Sequence, residues 1–249
     1  MLLTVDIGNT TIAFGVFQGR KLKSSWKIPT SSIFSKGVVL KPVKDIDGVI
    51  ISSVVPKATP IIKKLVRNRF KINPLVLGEN IKAPIKNLYR NPKQVGQDRL
   101  VNAVAASELY GYPIIVVDFG TAITFDVISK RKGYLGGIII PGIEISLEAL
   151  SSKAALLPRI KLSLPKEFVG RDTVSSMKSG IFYGFGSLCD GLIGKIKKQY
   201  GEQLVIATGG YSRLMAKFCN SIDKVKPDLI FQGLRIIYEW GRSQKGQAI

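Results

Sequence analysis

The chain has 249 residues, 45% of them hydrophobic and 22% charged, a balance that suits one large or two modest packed domains and excludes a disordered chain. Its 37 lysines and arginines exceed its 17 aspartates and glutamates, giving a net charge of +20 that favours anionic partners, nucleotides and carboxylates as readily as nucleic acid. Histidine is absent, which excludes Ser-His-Asp triads, Cys-His pairs and every histidine-containing zinc site.

The N-terminal run Leu2-Leu3-Thr4-Val5 ends in Asp6-Ile7-Gly8-Asn9-Thr10, and a second β-rich stretch follows at 12–17. This predicts a buried strand, a tight turn and an antiparallel return strand. No basic leader or cleavage site accompanies Leu2, so no signal peptide is expected. Residues 47–54 and 74–77 are predicted as strands, with an amphipathic helix at 60–69 between them. A further helix is predicted at 99–110, with Leu100, Val101, Val104, Ala105 and Leu109 on one face. By position alone Asp98 reads as the N-cap of that helix and Arg99 as a solvated helix residue. Gly111-Tyr112-Pro113 breaks the helix and sets a boundary between domains 1–111 and 112–249.

The second half opens like the first. Ile114-Ile115-Val116-Val117 ends in Asp118-Phe119-Gly120-Thr121-Ala122, followed by a β-rich stretch at 123–128. Laid on the N-terminus without gaps, Asp118 falls on Asp6, 112 positions away, so the chain reads as two similar halves. Glycine lets such a turn approach a ligand closely, N–H groups and Thr hydroxyls can hold phosphate oxygens, and the Asp can face a cation. One copy alone is equally a strand ending in an Asx-turn. Two copies at equivalent places point to a pair of phosphate loops gripping one nucleotide. Neither G-x-x-x-x-G-K-[ST] nor G-x-G-x-x-G occurs.

Further along, the basic clusters Lys130-Arg131-Lys132 and Lys195, Lys197, Lys198 are short, and no aromatic-interleaved stripe accompanies them, so nucleic acid is not expected as a partner. The apolar stretches at 138–140 and 181–188 fall far short of the ~20 residues of a membrane span, so no membrane association is expected. Thr173, after Gly170-Arg171-Asp172, reads either as a helix cap or as a ligand contact. Gly180, Gly184, Gly186, Gly191 and Gly194 mark close helix packing, within the domain or between subunits. Cys189 and Cys219 are too few for a Cys₄ zinc site or a disulfide framework; buried reduced thiols and a cytoplasmic location are expected. A strand at 203–208 and a last helix at 229–240 complete an α/β alternation.

The paired loops resemble those of the acetate-kinase/sugar-kinase/Hsp70/actin (ASKHA) superfamily, which implies an α/β fold of two duplicated ribonuclease-H-like domains. Five motifs in order narrow the resemblance: Asp6-Ile7-Gly8-Asn9-Thr10, Gly96-Gln97-Asp98-Arg99, Asp118-Phe119-Gly120-Thr121-Ala122, Gly136-Gly137-x-x-x-Pro141-Gly142 and Gly170-Arg171-Asp172-Thr173. With Thr208-Gly209-Gly210 and Pro227-Asp228-Leu229-x-x-x-Gly233-Leu234, they resemble type III pantothenate kinase over nearly the whole chain.

The resemblance implies ATP-dependent phosphorylation of pantothenate to 4'-phosphopantothenate, the first step of coenzyme A biosynthesis, by a homodimer. It implies that Asp6, Ile7, Gly8, Asn9, Thr10, Thr11, Ile12, Ala13 and Thr121 contact ATP, with Asp6 near the Mg²⁺ that ATP carries. Asp118 would help bind a monovalent cation, K⁺ or NH₄⁺. Tyr89, Gly96, Gln97, Asp98, Arg99 and Thr173 would bind pantothenate, with Asp98 as the acid-base residue. An aspartate of ordinary pKa, about 3.9, cannot ionise an alcohol in advance, so Asp98 would orient the hydroxyl and take its proton late. The competing expectations are a noncatalytic relative of the Bvg accessory factor kind, which predicts damage to the Asp98 or Asp118 motifs, and a superfamily kinase acting on another hydroxyl.

Overall fold

Apolar residues on both faces of a strand demand cover on both sides, and Leu2–Ile7 (β1) is such a strand, buried along almost its whole length. It folds back antiparallel onto Thr11–Gln18 (β2), which pairs in turn with Lys21–Pro29 (β3). On its other side β1 lies parallel to Gly48–Ser53 (β4), and β4 to the short Leu75–Val76 (β5). The sheet order is therefore β3-β2-β1-β4-β5. These elements come from a computed structural model that describes residues 1–35, 40–131 and 133–246; Lys132 of the basic cluster lies outside them.

Between β4 and β5 runs helix Thr59–Phe70 (α1), whose Ile62 and Val66 pack on Leu3, Val5, Phe14 and Ile51. After a two-residue strand, Lys86–Asn87 (β6), comes Gln97–Tyr110 (α2). Its residues 99–107 are buried without a break, so the expectation of a single apolar face is too narrow, and Leu109 is exposed rather than part of it. The strand at β3 was not anticipated: its lysines and serines face out, and Trp26 is held by stacking on Phe14, ring centroids 5.0 Å apart.

The second sheet repeats the plan. Ile114–Phe119 (β7), Ala122–Ile128 (β8) and Gly133–Pro141 (β9) are antiparallel neighbours. Helices Ile143–Lys153 (α3) and Thr173–Tyr200 (α4) follow, then Leu204–Thr208 (β10), the single turn Ser212–Met215 (α5) and Lys224–Val225 (β11). Strand β10 lies parallel to β7, and β11 to β10. Within this unit the strands run β9-β8-β7-β10-β11, matching the first sheet strand for strand, so both units are ribonuclease-H-like. Phe119, Phe125, Ile181, Phe182 and Ile193 fill the core under α4, together with the free, buried Cys189 and Cys219.

The chain closes with Leu229–Gly246 (α6), and this helix corrects the expected division at 111/112. The compact units are Met1–Tyr110 with Asp228–Ile249, and Gly111–Pro227. The second face of the first sheet, Leu2, Ala13, Phe17 and Ile50, needs cover, and Phe231, Leu234 and Ile237 of α6 supply it beside Val101 and Val104 of α2. Glycines make the approach possible: a Cβ at Gly233 would lie 2.3 Å from the Val101 carbonyl oxygen, and one at Gly48 2.0 Å from the Tyr238 hydroxyl.

Candidate active site

The first loop is set by the register of its strands. The β1–β2 ladder ends at Ile7 opposite Ile12, and the Gly8 N–H donates to the Thr11 carbonyl at 3.0 Å, closing a connection of three residues. Ile7, Ile12 and Ala13 are buried, so any contact they make with a ligand falls to their backbone; Asn9, Thr10 and Thr11 are exposed. Asp6 is half-buried at the strand end, opposite Ser52 of β4.

The Gly96–Arg99 segment reaches the same end of the first sheet. The Val54 N–H, just past β4, donates to the Ile7 carbonyl at 3.0 Å, and a Cβ on Gly96 would stand 3.6 Å from Val54 Cγ1. That Cβ would also lie 2.4 Å from Asp98 Oδ1, so glycine at 96 is what lets the carboxylate fold back. Ligands of open α/β sheets collect beyond the carboxyl ends of parallel strands, the end near which Asp6 stands and at which the Gly96 segment arrives.

Asp98 is the second residue of α2 rather than the cap before it, and its Oδ1 accepts from the Arg99 N–H at 2.8 Å. Burial pushes its carboxyl above the ordinary range, against smaller opposing contributions from the Arg99 amide and guanidinium. Arg99 is 9% exposed, which overturns its assignment as a solvated helix residue. Tyr89 is half-buried between β6 and α2, its N–H on Asn87 Oδ1 at 3.1 Å.

In the second unit the ladder ends at Phe119 opposite Ile123, and the Gly120 N–H donates to the Ala122 carbonyl at 3.1 Å. This connection is one residue shorter than the first. Past the glycine the gap-free match therefore slips: Ala122 pairs with Pro141 as Thr11 pairs with Pro29, so Ala122 is the counterpart of Thr11 rather than of Thr10. Asp118, the last residue but one of β7, lies beside Thr208 of β10. The next residue, Gly209, has φ +89°, and a Cβ there would lie 2.3 Å from Asp118 Oδ1. The Tyr211 N–H donates to the Phe119 carbonyl at 3.2 Å, so the Thr208-Gly209-Gly210 turn wraps the aspartate. The Tyr211 hydroxyl donates to Glu144, and burial, followed by that bond, raises the phenol to about 12.

Thr173 begins α4 and is exposed, but it is not the cap. Asp172 is, accepting from the Ser175 N–H at 2.9 Å within a capping box. Asp6, Tyr89 and Gly96–Arg99 thus belong to the first unit, and Asp118, Thr121 and Thr173 to the second. Among the described residues no group of three or more Cys, Asp or Glu could hold a metal ion. Single carboxylates such as Asp6 and Asp118 suit a cation that shares its ligands with phosphates.

Thr30 was missed by the motif search. It is 3% exposed, its hydroxyl donates to the Gly8 carbonyl at 2.6 Å, and its N–H donates to the Thr10 carbonyl at 2.9 Å.

The family described as type III pantothenate kinase matches residues 2–195, a span that carries both loops and the Asp98 segment. The chain belongs to that family. A relative named type III pantothenate kinase from Halalkalibacterium halodurans is 44% identical, over 96% of this chain and 99% of its own. Another of the same name, from Moorella thermoacetica, is 42% identical over the same shares. Among solved structures, a candidate Baf family transcriptional activator from Campylobacter jejuni has a TM-score of 0.62 at 22% identity, covering 97% of this chain and 99% of its own. A candidate N-acetylmannosamine kinase from Listeria monocytogenes has a TM-score of 0.53 at 12% identity, covering 98% and 99%. At these identities the structures speak to the fold alone, and the fold they share is that of the ASKHA superfamily.

Proposed function

We propose that the chain transfers the γ-phosphoryl group of ATP to the primary hydroxyl of pantothenate, giving 4'-phosphopantothenate for coenzyme A synthesis. The observation that carries this reading is the half-buried Asp98 carboxylate at the carboxyl end of the first sheet, beside the Asp6 loop, in a chain whose family is shown. In this reading both loops contact ATP. Asp6 would stand near the Mg²⁺ that ATP carries, which would supply neutralisation of phosphate charge for in-line transfer. Asp98 orients the acceptor hydroxyl and takes its proton as the bond to phosphorus forms. Arg99 suits the pantothenate carboxylate, since a guanidinium pairs with it in a charge-assisted fork. Asp118, within the Gly209 turn, would help hold K⁺ or NH₄⁺. A noncatalytic relative would tolerate loss of Asp98 or Asp118, and both are intact.

The working form in this reading is a homodimer in the cytoplasm; among the described residues no helix is long and apolar enough to cross a membrane. Helix α4 supports the dimer. Thr173, Ser176, Gly180, Gly184, Ser187 and Gly191 line up at helical spacing and are all exposed. A Cβ at Gly180, Gly184, Gly191 or Gly194 would meet nothing within 4 Å, whereas one at Gly186 would strike the Phe218 carbonyl at 2.1 Å. Only Gly186 therefore serves packing inside the unit. Gly184→Leu is expected to convert the dimer to monomer in sedimentation velocity without lowering Tm by local clash, and a dimer that persists would exclude this face.

The reading is tested by ADP release from purified protein with ATP, Mg²⁺ and pantothenate, in K⁺ and in Na⁺. Turnover that needs pantothenate and is much faster in K⁺ is the expected result. Turnover with other alcohols but not pantothenate would reassign the acceptor, and none from folded protein would overturn the reading.

A further inference from the structure

We infer that Thr30 is a positioning residue for ATP, aiming backbone N–H groups of the first loop at the phosphates. The inference rests on the kinase reading above and adds to it a residue outside every motif that carries the family resemblance.

The geometry follows from the planar trans peptide, in which the carbonyl of one residue and the N–H of the next point in opposite directions. Thr30 takes the Gly8 carbonyl with its hydroxyl at 2.6 Å and the Thr10 carbonyl with its own N–H at 2.9 Å. The N–H groups of Asn9 and Thr11 are therefore turned away from Thr30, in a stretch whose residues 9–11 are exposed. Without these bonds either peptide could rotate and present a carbonyl oxygen, which repels phosphate, where an N–H would attract it.

The duplicated loop shows which part of this arrangement is particular to Thr30. In the second unit the residue that follows the proline ending β9 is Gly142, and its N–H donates to the Thr121 carbonyl at 3.1 Å, just as Thr30 follows Pro29 and donates to Thr10. The backbone tie is common to both loops. The second loop has no room for a side chain there, since a Cβ on Gly142 would lie 2.1 Å from the Thr121 carbonyl oxygen. The first loop is longer by one residue, and the Thr30 hydroxyl fixes the additional peptide. A buried hydroxyl adds a second tie to one loop at the point where its twin has the backbone tie alone.

The experiment compares Thr30→Val and Thr30→Ser with wild type, measuring KM for ATP, KM for pantothenate, kcat, Tm and equilibrium binding of ATP. Val keeps the shape and the backbone tie but removes the hydroxyl; Ser keeps the hydroxyl. Loss of one well-placed hydrogen bond should raise KM and Kd for ATP by roughly 3- to 10-fold in the Val variant, with KM for pantothenate unchanged and Ser restoring wild-type values. An unchanged ATP affinity in a folded Val variant would overturn the inference. So would equal loss for both substrates, which marks a structural role. If Val does not fold, Thr30→Ser decides, since a raised KM with the hydroxyl present would also overturn it. Wild-type protein that binds ATP but does not phosphorylate pantothenate would sink the kinase reading while leaving the binding comparison intact.

Discussion

Asp98→Asn is expected to lower kcat by about 10²- to 10⁴-fold, the contribution of a positioned general base, with little change in KM for ATP. Asparagine is the sharp choice because its Oδ1 can take over the bond that the Arg99 N–H makes to Asp98 Oδ1 at 2.8 Å, so helix α2 should keep its first turn. Only the proton acceptor is lost. The raised carboxyl of Asp98 adds a pH prediction. In the proposed reading transfer needs the ionised form, so activity should fall on the acid side in a limb that lies above the ordinary aspartate value of about 3.9. The variant's residual activity should lack that limb.

The sign for stability runs the other way. A carboxyl whose folded pKa is above its unfolded one contributes stability below the unfolded value and loses it as pH rises through the folded value. At neutral pH the ionised Asp98 therefore costs stability, and the Asn variant should show a Tm no lower than wild type. A variant that is inactive and also much less stable would mean that Asp98 acts through folding rather than chemistry. A half-buried charge held against its own solvation preference is a common mark of a functional site.

Strands β1 and β7 were legible because four residues, all apolar but for Thr4, lead into Asp-x-Gly in each, and a central strand buried on both faces leaves that continuous signature. Strand β3 left none. As an edge strand it needs only Leu22, Trp26 and Ile28 inward, and its lysines disguise it as a loop while protecting an edge from pairing. The Asp98 segment was found by its motif, but its second-residue position in α2 depended on where the helix begins, which sequence fixes only to within a residue or two. Thr30 was invisible in principle: its partners are carbonyls of residues 8 and 10, and a backbone acceptor carries no side-chain identity to recognise. The return of α6 to the first sheet was hidden for a related reason. An amphipathic helix states that it has an apolar face, not which sheet that face covers, and nearness in sequence pointed to the wrong unit.

Gly209→Ala should cost both stability and turnover, because two separate constraints meet at that position. Its φ of +89° is a conformation L-residues rarely adopt, costing about 1 to 2 kcal/mol. The new Cβ would also lie 2.3 Å from Asp118 Oδ1 and 2.7 Å from the Phe119 carbonyl oxygen, an overpacking of about 1 to 3 kcal/mol. Together they predict a loss of ~3 kcal/mol, roughly 6 to 12 °C in Tm for a chain of this size. The carboxylate is the softer of the two obstacles, so the methyl group should displace Asp118 first and, in the proposed reading, weaken activation by K⁺ more than binding of pantothenate. A double-mutant cycle separates the contributions. If the clash with Asp118 matters, Asp118→Ala in the Gly209→Ala background should recover part of the lost Tm, though not the cation response. Independent, additive losses would place the whole cost in the backbone and leave Asp118 undisturbed by its neighbour.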